Sequence, residues 1–293
     1  MHRTATSWII LIATGWLALT AAGKLSAASL VLTPEADVGL SQRDPTNHLG
    51  GEIDFVAGVQ GPAANHATNR ALVRFDFSGL PAGATILSVQ LALSIHQSPL
   101  DAPPASFSLH RALVDWNEAS ATWLNRQPDT PWNDVGAGSP ADAASASSAT
   151  RIIFGSDDYR FGPAPELAAD VQFWLSHPED NHGWLVRTDD ELLAHSARRF
   201  SSRETALGTP PRLMIEYTPP EPPQIDGVEL QGDLFLLHFT ARPGKAYLIQ
   251  CRDELGNGDW GNCASLPATP SGGAMVFSES FRRTKRFYRL CER

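Results

Sequence analysis

The chain has 293 residues, 23 basic and 32 acidic side chains and a formal charge of −9, with 22 prolines, 23 glycines and 8 tryptophans. That balance excludes a general nucleic-acid or anionic-membrane partner, either of which would be met by a basic surface. Its three cysteines contain no Cys-x-x-Cys pair, which excludes a zinc site built on them.

In chain order, residues 1–28 read as a secretory signal peptide. His2 and Arg3 precede an apolar run from Trp8 to Ala22, and Ser26-Ala27-Ala28 supplies small residues for cleavage. The run counts 15 residues, short of the roughly 20 that span a bilayer. Removing the leader takes Arg3 and Lys24 with it and leaves 265 residues with 21 basic against 32 acidic side chains, a charge of −11. The remaining chain has no transmembrane segment and is expected outside the cytoplasm, secreted or at the cell surface.

Residues 29–217 form the first predicted domain. Strand-like runs occur at Leu30 to Leu32, Ile53 to Gly58, Ala71 to Phe77, Ile86 to Ile95, Phe107 to Leu113, Trp184 to Arg187, Arg199 to Ser202 and Arg212 to Tyr217. Within the fourth, Leu87, Val89, Leu91 and Leu93 share one face. Eight short strands separated by turns predict an all-β jelly-roll sandwich. One helix is expected, because Leu167, Val171, Trp174 and Leu175 recur at helical spacing after Pro163 and Pro165. Gly136 to Thr150, mostly Ala, Ser and Gly, lacks apolar content and predicts a mobile loop.

Thr218-Pro219-Pro220-Glu221-Pro222-Pro223 is a stiff linker over 218–223. Residues 224–293 then alternate at Phe235, Leu237 and Phe239 and at Tyr247, Ile249 and Cys251, predicting a smaller Ig/fibronectin-like sandwich. Cys251 and Cys263 flank a turn-rich loop and could pair across a hairpin. Three pairings with Cys291 exist, and three buried thiols are the other reading.

For an enzyme the motifs are missing, since there is no Gly-x-Ser-x-Gly elbow, no His-Glu-x-x-His and no phosphate-cradling glycine loop before a helix. His177 and His182, with Glu179 and Asp180, read as a polar loop around Pro178. Calcium prefers several oxygens, and Asp44, Asn47, Glu52 and Asp54 offer them beside Gly50 and Gly51. A solvated loop with Asx turns is the competing reading. Arg74, Asp76, Glu118, Arg187, Arg203 and Glu204 lie in strand-like strings, where mutual pairing would offset burial.

Six strings carry a family resemblance. They are Asp44-Pro45-Thr46-Asn47-His48-Leu49-Gly50, Leu72 to Pro81, Trp116-Asn117-Glu118-Ala119-Ser120-Ala121-Thr122-Trp123, Asn181-His182-Gly183-Trp184, Phe200-Ser201-Ser202-Arg203-Glu204 and Pro211 to Tyr217. In this order the first domain resembles the DNRLRE family of exported β-sandwich domains, although the literal Asp-Asn-Arg-Leu-Arg-Glu string is absent. The resemblance implies a noncatalytic jelly roll related to carbohydrate-binding modules, some of which bind alginate and some of which carry structural calcium. No other cofactor is implied. The second domain is similar to short C-terminal modules of exported bacterial proteins through Gly244-Lys245-Ala246-Tyr247, Asp253-Glu254-Leu255, Trp260 and Arg286-Phe287-Tyr288-Arg289.

Sugars lay their C–H faces on aromatic rings, which makes Trp116, Trp123, Trp132 and Trp184 the platform candidates. Trp116, Trp123 and Trp184 sit in the family's strings and also suit a core role, whereas Trp132, between Pro131 and Asn133, is expected in a ligand-facing loop. Arg198, Arg199 and Arg203 could fork to an acidic polysaccharide. The function expected is therefore secreted, noncatalytic polysaccharide binding. A purely structural envelope or surface-assembly protein is the alternative.

Overall fold

The computed structural model describes residues 6–13, 16–19, 26–206, 208–254, 259–280 and 285–292, the first two stretches by backbone alone. The described residues divide into two compact units, one spanning Ala27–Thr218 and the other running from Pro219 onward together with the stretches before Ala27, so that the later boundary falls within the proline string. No helix among the described residues is long and apolar enough to cross a membrane.

The first unit is a curled antiparallel sheet folded into two walls, as an all-β sandwich requires. One wall runs Ala149–Ile153, Ala105–Arg111, Trp184–Thr188, Thr68–Arg74 and Ala36–Ser41. The other runs Asp54–Val59, Arg198–Ser201, Thr85–Gln97, Arg212–Thr218 and Ala28–Leu32, with Asp158–Phe161 added beside the long Thr85–Gln97 strand. The walls join where Gly58 and Val59 pair with Asn69 and Thr68. Gly58 has a φ of +106°, and a Cβ there would lie 2.7 Å from the Ser196 carbonyl oxygen. Only glycine meets both demands at this corner.

Period-two alternation puts Phe107 and Leu109, Trp184 and Val186, Val89, Leu91 and Leu93 into one core between the walls. Leu87 departs from its expected face. It is half exposed, and the ladder shifts register opposite it, between Glu216 and Tyr217. The predicted helix forms as Pro165–Ser176, with proline at its first turn and Glu166 toward its positive end. Its Leu167, Val171 and Trp174 enter the core, where the Trp174 and Trp184 rings meet edge to face at 4.7 Å.

A second cluster lies on the outer face of the first wall. Val38, Leu40, Leu72 and Leu185 point outward there and are covered by Trp116, Trp123, Trp132, Ala137 and Ala143. This overturns the expectation of a mobile Gly136 to Thr150 loop. Small side chains let the backbone lie close to the sheet. The buried Asp142 carboxylate accepts from the Asn133 backbone N–H, the Asn133 amide and the Asp134 N–H at 3.2, 2.8 and 2.7 Å. Residues Ala149–Ile153 then continue as an edge strand.

The second unit is a smaller all-β sandwich. Ile225–Gln231, Leu234–Ala241 and Gly273–Ser280 form one sheet. Tyr247–Arg252, Gly261–Leu266 and Lys285–Glu292 form the other, to which the backbones of Thr6–Ala13 and Trp16–Leu19 add two strands. Its core includes Phe235, Leu237, Tyr247, Ile249, Tyr288 and Leu290. Cys251 and Cys263 form a disulfide with a Cα separation of 5.9 Å, while the buried Cys291 thiol donates toward Gln250. His2, Arg3, Lys24 and Leu255 lie outside the described residues.

Candidate functional site

The aromatic platform does not exist where the sequence placed it. Trp132 is 5% exposed, and its indole N–H donates to the Thr122 carbonyl at 2.8 Å. Its neighbours Pro131 and Asn133 do mark a loop, but the short hairpin of Asn125–Gln127 and Thr130–Pro131 folds that loop onto the sheet. Trp116, 1% exposed, donates to the His182 carbonyl at 2.8 Å and lies under the Arg74 guanidinium. Neither ring is open to a sugar. Trp123 and Trp184 are likewise buried.

The arginine trio also disperses. Arg198 is fully buried, its terminal nitrogens donating to the carbonyls of Ser196 at 2.8 Å and Pro103 at 2.7 Å, and burial lowers its pKa. Arg199, its neighbour on the strand, points outward and pairs with Asp54 at 2.7 Å. Arg203 lies among carboxylates elsewhere. Adjacent strand residues face opposite sides of a sheet, so Arg198 and Arg199 could not have formed one patch.

The proposed calcium ligands are not brought together. Asp54 is engaged by Arg199 and lies 3.4 Å from His96, while the Asp44 and Asn47 backbones form a turn closed by a 3.0 Å hydrogen bond. Glu52 contributes its backbone carbonyl to Ser202 at 2.7 Å. Among the described residues, the acidic group that converges is instead Asp37, Glu118 and Glu204, whose oxygens fall within 4.8 Å of one another.

That group closes around Arg203. The guanidinium Nε lies 3.0 Å from Glu118 and 2.6 Å from Glu204, and Nη1 donates to the Glu35 carbonyl. Asp37 accepts from the Arg203 backbone N–H at 2.8 Å, and its own N–H donates to Glu118 at 2.9 Å. Burial pushes the Asp37 carboxyl up to about 7, with Glu204 and Glu118 adding repulsion against the Arg203 hydrogen bond. At 2% exposure Asp37 is closed to any substrate. The three carboxylates are chemically apt for a cation, and Arg203 already supplies one. The cluster joins the Ala36–Ser41 strand to the Trp116 to Trp123 segment and to Ser202 to Glu204. The sequence marked Glu118, Arg203 and Glu204 but missed Asp37, whose strand has its apolar pattern interrupted at Asp37 and Gly39.

A different arrangement is open to solvent. On the outer face of the first wall, beyond the tryptophan cluster, Thr150, Ser108 and Arg187 stand in register across three strands. Pairing of Val186 with Ala71 continues the row to Arg70. Ser108 shares a 2.9 Å hydrogen bond with Thr150 and donates to Asp189, which also accepts from Ser106 at 2.5 Å. Ser108 itself is buried, at 1% exposure, and the open members are Asp189, Thr150 and Ile152, the last opposite Ser106. Two residues along the strand from Ser108, opposite Leu185, His110 is buried. Its Nδ1 lies 2.9 Å from the Ala144 carbonyl, which assigns the proton there and leaves Nε2 without a partner. Burial lowers the His110 pKa and keeps the ring neutral.

These features define an all-β protein of two sandwich units, with a hydroxyl-and-carboxylate face on the first. No family model matches the chain, and no curated protein does. Among solved structures the chain is similar to one titled as a structure of allantoicase, with 10% identity, 92% of this chain and 90% of that chain covered, and a TM-score of 0.14. A likeness at that score carries no argument about fold or activity.

Proposed function

We propose that the chain is an exported, noncatalytic carbohydrate-binding protein of the DNRLRE type, whose first unit holds a polysaccharide on the outer face of its first wall. The observation that carries this reading is the linked array of Ser106, Ser108, Thr150 and Asp189. The exposed Thr150 hydroxyl and the exposed Asp189 carboxylate, which keeps lone pairs after accepting from Ser106 and Ser108, match the hydroxyls of a sugar. Ile152 beside them supplies apolar surface for a ring's C–H face. Every tryptophan of the first unit that could have formed a platform serves the core instead. The site therefore recognises hydroxyls more than it stacks.

Affinity electrophoresis against a panel of soluble polysaccharides, with folding verified by circular dichroism, tests the reading. At least one polysaccharide should retard the protein. Asp189→Ala should weaken that retardation about tenfold, the usual cost of a lost hydrogen bond to a charged group, with an unchanged spectrum. Migration unaffected by the whole panel would remove the reading.

A further inference from the structure

The two sulfurs of the Cys251–Cys263 bond have different surroundings. Cys251 is buried among the core residues of Tyr247–Arg252, whereas Cys263 is half-buried at a bulge of the facing strand, where the pairing skips from Asn262 to Ala264. Arg286 reaches both from the third strand of that sheet, its Nη2 lying 2.8 Å from the Cys251 Sγ and 3.6 Å from the Cys263 Sγ. Glu279 holds the guanidinium from the opposite sheet, 3.0 Å from Nη1, and itself accepts from the Tyr288 hydroxyl. Asp253 faces Nε at 3.6 Å. The two carboxylates thus meet other nitrogens of the group and leave Nη2 to the sulfur. A disulfide sulfur is a weak acceptor that gives a guanidinium little. A thiolate in the same place would accept a charge-assisted hydrogen bond, so the contact favours the opened bond over the closed one.

We propose that Cys251–Cys263 is an exchangeable disulfide, opened by an external thiolate that attacks Cys263 and expels Cys251 against Arg286. The attacking sulfur bonds to the Cys263 Sγ as the Cys251–Cys263 bond breaks, and the electron pair of that bond leaves on the Cys251 Sγ. With a dithiol as reductant, its second sulfur then displaces Cys263 from the mixed disulfide. The dithiol ends as a disulfide, the cysteine pair ends reduced, and the dithiol's two protons go to Cys263 and to solvent. Exchange rates depend on which sulfur is accessible and on how well the other one leaves, and both factors select this direction. Cys291, buried and turned toward Gln250, lies outside the reaction. Opening the bond removes the covalent closure of the hairpin and loosens the second unit. The first unit contains no cysteine and is untouched. The proposal is independent of the carbohydrate reading.

The oxidised full chain is treated with reduced glutathione, quenched with iodoacetamide and digested with trypsin, which places the three cysteines on separate peptides. The glutathione adduct should sit on Cys263 at least tenfold more often than on Cys251, with the Cys251 thiol alkylated. Under dithiothreitol the bond should open at least tenfold more slowly in Arg286→Gln than in the wild type. Arg286→Lys, which keeps the charge, should recover part of the rate. Thermal melting of both oxidised variants checks the second unit. An adduct shared equally, or favouring Cys251, overturns the proposal on the wild type alone, whatever the variants do. A bond that resists both reagents overturns it too, as does a folded Arg286→Gln whose bond opens as fast as that of the wild type.

Discussion

Trp132 illustrates how one residue's role turns on the backbone around it. Flanked by proline and asparagine it has the local signature of an exposed loop, yet its ring closes a cluster with Trp116, Trp123, Leu72 and Leu185. Trp132→Ala should therefore destabilise the first unit by roughly 3 to 5 kcal/mol through loss of buried contacts and the cavity left behind. Urea unfolding measures this, and a change under about 1 kcal/mol would contradict the packing. Asp37 gives a second test. Its carboxyl rises from the ordinary 3.8 to about 7 in the folded state, so the folded protein holds that proton more tightly. The stabilisation is complete below about pH 4 and is lost as pH climbs through 7, a swing of roughly 4 kcal/mol if nothing opposes it. Asp170, also raised by burial, acts in the same direction, whereas His110 and His182, both lowered by burial, cost stability as pH falls below the ordinary 6.5, where the unfolded chain takes up protons first. Asp37→Asn keeps an acceptor for Arg203 and should flatten the stability profile between pH 4 and 7. A profile with the wild-type slope would show that Asp37 does not titrate there.

Among the elements, those with strong alternation or helical spacing were legible in the sequence, because burial imposes the period directly. The eight strand-like runs of the first unit and the Pro165–Ser176 helix all occur, with ends shifted by a few residues. Ala36–Ser41, Ala149–Ile153 and Asp158–Phe161 were not legible. The first is interrupted by Asp37 and Gly39, the second is an edge strand with three consecutive exposed residues, and the third has four residues. The candidate site was hidden for a related reason. Ser108, Thr150 and Arg187 are 37 residues or more apart in sequence, and only the strand order sets them in one row. In the second unit the Cys251–Cys263 bond closes a hairpin between Tyr247–Arg252 and Gly261–Leu266. Replacing both cysteines by serine should cost about 3 kcal/mol, the chain-entropy value for so short a loop. The denaturation midpoint of the second unit should fall while that of the first holds. A common shift of both transitions would contradict the division into two units.

At the scale of the molecule, charge and chemistry are segregated. Residues 27–218 carry 12 basic and 23 acidic side chains, and residues 219–293 carry 9 of each. The excess of −11 thus belongs to the unit bearing the polar face, which suppresses non-specific capture of polyanions and leaves recognition to local geometry. Within that unit most of the charges identified from sequence satisfy one another, as in the Asp37, Glu118, Arg203 and Glu204 joint. The most direct test of the account is affinity electrophoresis of wild type and Asp189→Ala, both folded, against a panel of soluble polysaccharides. The account predicts retardation of the wild type by at least one of them and a retardation about tenfold weaker in the variant. Migration of the wild type unaffected by the whole panel, or identical migration of the two proteins in every gel, would contradict it.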